Sequence, residues 1–367
     1  MTGLRPDAPP AEVYSGTLVV EPVISAWLGD RQLATSVPVV SGSFAKSVRT
    51  AVPERLELTV PRRMDGVDWL PRSHDHPLAR FGQVLDVALR VSEPVTSRSW
   101  LVRLGRCQVQ DWSVDGGDIS VSGVGMMQRV EDHRIARPSA PGRAATLASE
   151  ARRLVSPTGL EVYVDPALRD RPVPDGITWG ENRMDTLLEL AQAWPARVRS
   201  DVTGRVMLLP PLPEAVRPVA TLTDGVGGTL VGVPVEDTRD GVFNHVVVEG
   251  KENGKSFRVE RFATVGPFSV RTYRTVTKDP IVLDRVTTGE VARRVADAEL
   301  VKALSTSRIL PVAHAPDYRL DVDVPLEVVT HDMDGSVDVH EWGYVTGVEI
   351  PLTASGGDMR TDVGVYR

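Results

Sequence analysis

Alternation of apolar and polar residues dominates the first third of the chain. Leu56-Glu57-Leu58-Thr59-Val60 puts apolar side chains on one face and polar ones on the other, as a half-buried strand requires. Thr17 to Val20 and Val23 to Leu28 read as two strands, closed by a turn at Gly29-Asp30. Val84 to Val91, Ser99 to Leu104 and Cys107 to Val114 read as three more. Gly116-Gly117-Asp118 then predicts a hairpin turn onto Ile119-Ser120-Val121. Short strands at such regular spacing predict a β-sandwich or barrel. Residues 1 to 12 read as a loose, proline-containing lead-in.

The period changes after Arg137-Pro138-Ser139-Ala140-Pro141-Gly142. Ala144, Leu147, Ala148, Ala151, Leu154 and Val155 share one face of a helix predicted over 144–155. Glu161 to Val164 reads as a short strand. A second helix carries Met184, Leu187, Leu188, Ala191 and Trp194 as its apolar stripe; Asn182 is its expected N-cap and Pro195 its stop. Ala196 to Arg199 and Arg205 to Leu209 then form a hairpin around Ser200 to Gly204. Pro210-Pro211-Leu212-Pro213 makes a stiff exit.

Strand patterns return afterwards. Asn244 to Glu249 and Phe257 to Phe262 flank an Asn253-Gly254 hairpin signal. Thr287-Thr288-Gly289-Glu290 resembles a capping box, opening a helix over about 288–304 with Val291, Val295 and Ala298 on one stripe. Strands resume at Leu326 to Val329. The predicted division is residues 1–140, a β domain; 141–215, a mixed α+β domain; and 216–367, a second β domain with one helix.

The two outer regions echo each other. Gly82-Gln83-Val84-Leu85-Asp86-Val87 follows Leu78, and Asp323-Val324-Pro325-Leu326-Glu327-Val328 follows Leu320. Downstream, Gly105 precedes Cys107, Trp112 and Val114, as Gly343 precedes Val345, Ile350 and Leu352; both stretches close on Gly-Gly-Asp (116–118 and 356–358). The echo predicts one β fold used twice.

With that echo, four segments in order resemble the tail hub, or baseplate hub, proteins of bacteriophages, of the minor tail protein type found in phages of actinobacteria. They are His76 to Gln83, the Trp179 to Leu209 module with its Asp201 to Gly204 turn, Phe243 to Gly250, and Val345 to Leu352 followed by Gly356 to Met359. The sequence departs at Asp323, where such proteins often carry glycine. The resemblance implies two tail-tube-like β-barrel or sandwich domains flanking a mixed α/β domain. It implies a homotrimer whose six β domains make a pseudo-sixfold ring at the virion tail tip, assembled from protein made in the host cytoplasm. Implied partners are the distal tail protein or tail tube ring, the tape measure protein and tail-tip fibre or spike proteins. DNA would pass through the lumen without specific binding.

Composition adjusts this picture only a little. A net charge of −7 gives no general pull towards nucleic acid and suits a lumen that DNA must not stick to. Cys107 is the only cysteine, which excludes an intramolecular disulfide framework. No apolar run has membrane-spanning length and no secretory signal is visible, so no membrane insertion is expected.

Candidate chemistry is sparse. Ser43-Phe44-Ala45-Lys46 has the Ser-x-x-Lys spacing of penicillin-recognising enzymes, but strand patterns surround it where that chemistry needs a helix, so a surface segment is expected. Glu181, Asp185 and Glu189 stack on one helical face and read as solvated. His74 and His76 lack a third ligand and read as a loop. Asp332 to Asp338 offers oxygens at alternate positions, but an Asp-Gly turn between Val328 and Val339 explains it more simply than calcium does. Among the tryptophans, Trp100, Trp112 and Trp194 read as core, while Trp27 and Trp69 lie near turns and could face a neighbouring subunit. No catalytic, cofactor-binding or metal residue is assigned, and a structural protein is expected. The alternatives are a cell-wall-acting tail-tip enzyme or a carbohydrate-binding module. An aromatic content of 5% disfavours the second, and the chain's end soon after the last hub-like motif leaves no expected room for the first.

Overall fold

A computed structural model of the chain describes residues 3–137, 139–173, 179–213, 217–233, 243–252, 255–265, 268–283, 289–304, 308–332, 334–353 and 356–365. The first region contains β1 (Val19–Leu28), β2 (Arg31–Ala34), β3 (Ser41–Ser47), β4 (Glu54–Pro61), the two-residue β5 (Arg63–Met64) and β6 (Val67–Asp68), β7 (Gln83–Glu93), β8 (Arg98–Asp115) and β9 (Asp118–Gly125). Next come α1 (Gln128–Asp132), α2 (Leu147–Val155), β10 (Val162–Val164), α3 (Arg183–Ala193), β11 (Arg197–Ser200) and β12 (Val206–Leu209). The last region holds β13 (Ala220–Thr223), β14 (Leu230–Gly232), β15 (His245–Glu252), β16 (Lys255–Phe262), α4 (Val270–Tyr273), β17 (Ile281–Leu283), α5 (Gly289–Leu304), β18 (Arg308–His314), β19 (Pro325–His331), β20 (Val337–Pro351) and β21 (Met359–Val365).

The two outer regions share one sheet. Its path runs β14-β18-β21-β20-β3-β4-β9-β8-β7-β1-β2, with β19 on β20 and β13 on β19. The halves meet where β20 pairs antiparallel with β3, from Gly347 opposite Ser47 to Pro351 opposite Ser43. Each half repeats one order: β3-β4-β9-β8-β7-β1 in the first, β14-β18-β21-β20-β19-β13 in the second. Register repeats too. Leu85, Cys107 and Gly125 lie side by side in the first half, and Leu326, Gly343 and Val365 in the second. Two residues on, both long strands skip one position against the next strand, after Val109 and after Val345. A bulge kept at the same place bends both strands alike. On this register Gly343 matches Cys107, two residues from the Gly105 that the sequence echo aligns with it. The period-two pattern hid that slip, because a shift of two keeps every side chain on its face.

One apolar core runs through both halves, from Ile24, Phe44, Leu56 and Leu85 to Leu310, Leu326, Ile350 and Val363. A second core sits under α2, α3 and the β11–β12 hairpin, and includes Leu147, Leu154, Met184, Leu187, Trp194 and Leu208. A third joins α5 to β15 and its neighbours through Val246, Val248, Ala292 and Ala296. That small unit lies between β14 and β18, at the position where the first half has only the short link from β3 to β4.

Several expectations need correction. Residues 17–28 do not form two strands: β1 continues through Pro22, because β2 covers only Ala26 to Leu28 and leaves Pro22 on an open edge, where its missing N–H costs nothing. Likewise β8 is a single strand, bent at its bulges instead of broken at Gly105. Helix α2 starts at Leu147, three residues late, because Thr146 caps it by accepting from Ser149 N while Ala144 adopts a positive φ of 59°. Residues 3–16 are not loose: Val13 is buried, Ala8 joins the core and Arg5 N donates to Arg319 O at 2.8 Å. Other expectations hold. Asn182 caps α3 by accepting from Met184 N and Asp185 N, and the β11–β12 and β15–β16 hairpins form. The Asn253-Gly254 turn and the Thr287-Thr288 half of the capping box lie outside the described residues.

Candidate functional site: the junction of the two halves

The strand at the seam carries the Ser-x-x-Lys spacing. In β3, Gly42, Phe44 and Lys46 point to the core side, and across from them on β4 stand Leu58, Leu56 and Glu54. Lys46 and Glu54 therefore occupy core positions of two alternating strands, and both are buried. This corrects the expectation of a surface segment. Lys46 Nζ lies 4.0 Å from Glu54, 3.5 Å from Asp321 and donates to Ser200 O at 3.3 Å. Ser200 Oγ donates to Glu54 Oε1. Arg5 reaches Asp321 from the other side at 3.3 Å. One charge cluster thus joins the amino-terminal segment, the first half, the middle hairpin and the second half.

Electrostatics divides the two acids. Burial pushes Glu54 up against the pull of Lys46 and the Ser200 hydrogen bond. Burial also acts to raise Asp321, but the Arg5 and Lys46 charges outweigh it and hold the carboxyl at about 2. Glu54 needs space as well as partners. A Cβ on Gly125 would meet its carboxylate, so Glu54 keeps its present position only beside a glycine. Buried ion pairs contribute little net stability, because desolvation offsets attraction, but leaving one partner unpaired costs a great deal. The cluster accordingly fixes which surfaces meet.

A second contact lies beside it. Arg197 and Arg199 on β11 both donate to Asp323. Asp323 has φ +67°, and Gly82, its counterpart in the echo, has φ +99°. The backbone there requires the left-handed region, which glycine enters freely and aspartate tolerates at some cost. The departure from glycine at this position thus coincides with an ion-paired anchor for the middle hairpin. Between them Arg197, Asp323, Pro211, Leu212, Tyr344 and Thr346 line a cleft of about 270 Å³.

The other candidates stay apart. Ser43 is half-buried between Glu57 and Pro351, in a strand. Asp185 and Glu189 are exposed on α3, while Glu181, also exposed, lies before the helix, ahead of its Asn182 cap, so the expected stack of three on one helical face does not form. His74 packs edge-on against Phe81, while His76 Nδ1 accepts from Leu78 N at 3.1 Å, so the two imidazoles are used separately. Asp334 Oδ1 accepts from Ser336 N in a turn with Gly335 at φ +82°, and β19 and β20 form the expected hairpin around it; Met333 lies outside the described residues. Among the described residues, no three His, Cys, Asp or Glu side chains group as metal ligands, and no helix is long and apolar enough to cross a membrane. Trp194 is buried as expected, while Trp69, expected near a subunit contact, is instead buried in the chain's own core.

Sequence reasoning missed Arg5, Glu54, Ser200 and Asp321. A signal for one of them, Glu54, was present, and for its partner Lys46 as well. Glu54 continues the inward parity of Leu56, Leu58 and Val60, and Lys46 that of Gly42 and Phe44. A charge at a core parity position demands a partner.

No family model matches the sequence, and no curated protein matches it. Solved structures do match the fold. A tail protein from Neisseria meningitidis MC58 superposes with a TM-score of 0.65 at 13% identity, covering 95% of this chain and 97% of that one. The 43 kDa tail protein of prophage MuSo2 from Shewanella oneidensis gives 0.61 at 15%, covering 95% and 98%. Prophage tail protein gp18 from Listeria monocytogenes EGD-e gives 0.50 at 10%, covering 93% and 94%. The chain has the fold of phage tail proteins, mainly β with a mixed insert, in agreement with the resemblance read from the sequence.

Proposed function

We propose that this chain is a structural tail-tip hub protein. Three copies form a homotrimeric, pseudo-sixfold ring that joins the tail tube or distal tail protein to the tip and surrounds the channel for DNA and the tape measure protein. The observation that carries this reading is the doubled scaffold, two β halves of one strand order and one bulge position joined through β3 and β20. A protein with two alike domains can meet sixfold and threefold neighbours alike. The division near residues 140 and 215 belongs to the same proposal, with the middle module bracing the halves. Fibre or spike proteins attach at the tip, and the chain performs no catalysis. Native mass spectrometry over rising protein concentration, followed by electron microscopy, tests it. A trimeric ring with six similar lobes is expected. A chain that stays monomeric even when mixed with tail tube protein overturns it, as does cell-wall hydrolysis in a zymogram.

A further inference from the structure

The seam is short for the sheet it holds together. Five residue pairs join β20 to β3, flanked by one backbone hydrogen bond at each end, Val48 N to Thr346 O and Leu352 N to Gly42 O. By contrast, β7 and β8 share ten pairs. Local opening starts where ladders are short. The amino-terminal segment lies across this region. In the first half, Asp7 Oδ2 accepts from Arg103 N on β8 at 2.9 Å. In the second half, Arg5 N donates to Arg319 O and the Arg5 guanidinium pairs with Asp321. Tyr14 receives the Arg319 guanidinium over its ring, 5.1 Å from the centroid. Leu4, Ala8 and Tyr14 pack on the shared core. Asp321 passes the connection on to Lys46, inside the seam strand itself.

We propose that residues 3–16 are a clasp that holds the β3–β20 seam shut, with Arg5 to Asp321 to Lys46 as its fastening. The segment adds no strand to the sheet; it ties β8 of one half to the 315–323 loop of the other, and its release frees the seam before either half unfolds. This inference concerns the single chain and stands apart from the tail-tip role.

Hydrogen exchange of the full chain, read by mass spectrometry, tests it with Arg5→Ala and Asp321→Asn. At least about tenfold faster exchange is expected for amides of residues 43–47 and 347–350, a change that follows from losing a fastening contact. Peptides covering β7 with β8, and α3, should keep the rate of the unaltered chain. Seam protection unchanged from the unaltered chain in both variants overturns the clasp. So does a uniform rise across every peptide, which would make the segment an ordinary part of the core. Should either variant fail to fold, Asp7→Ala supplies the milder case: it removes only the side-chain acceptor for Arg103 N, and a smaller rise confined to the seam and the adjoining β8 end is expected. No local change there overturns the proposal equally.

Discussion

The two halves share a strand order and fill it differently. At matched positions of β4 and β9, the first half places Val60 beside Ile119 and Leu58 beside Val121. The second half places His314 beside Met359 and Val312 beside Thr361. His314 is fully buried; its Nδ1 donates to Ala315 O at 2.7 Å, so its Nε2 accepts from Thr361 Oγ1 at 2.8 Å. A polar pair therefore stands where the first half is wholly apolar. The outermost strands differ too: β1 runs antiparallel to β7, whereas β13 runs parallel to β19. The scaffold specifies strand order and bulge; the residues in each slot are free to diverge provided every buried polar atom finds a partner.

Breaking what the halves share has the largest effect. Phe44 is fully buried at the seam opposite Leu56 and Ile350, so Phe44→Ala costs about 3–5 kcal/mol, read as a lower midpoint in urea denaturation. The left-handed position comes next. Asp323→Gly relieves the backbone but strands Arg197 and Arg199, a loss of about 3 kcal/mol by the same measurement. The mirror change, Gly82→Asp, supplies strain with no arginine pair and costs only about 1–2 kcal/mol. If the two changes cost the same, the anchoring role of Asp323 is wrong.

The polar pair gives a finer test. Thr361→Val leaves the His314 acceptor unmatched and costs about 1–3 kcal/mol, whereas His314→Val with Thr361→Val copies the first half and stays within about 1 kcal/mol of the parent. Burial lowers the His314 pKa below its ordinary 6.5. The unfolded chain then takes up the proton first, so this residue withdraws stability as the pH falls below about 6.5 and leaves it unaffected above. The double variant should flatten that slope. The pH dependence due to Asp321 is smallest near neutrality: its depressed pKa keeps its stabilisation whole above about 3.8, and it is lost as the pH falls towards about 2. Asp321→Asn removes this acid limb in a pH series of thermal melts.

Much of the fold was legible because period carries it. Alternation located β4 and β7, and the stripe from Met184 to Trp194 located α3 with its Asn182 cap. Strand joins were not legible, since neither Pro22 nor Gly105 breaks a strand whose edge is open or whose ladder bulges. The junction was less legible still. Ser200 and Asp321 reach Glu54 and Lys46 across more than a hundred residues, and no local spacing encodes such a meeting.

The unit built from β15, β16, β17 and α5 has one further implication. It interrupts the second half at the corner where the first half makes only a six-residue link, from Val48 to Pro53. A closed ring of three chains would therefore carry this appendage at every other lobe. The lobes would match in number the tube above, while the alternate projections would offer three keyed places to whatever docks below.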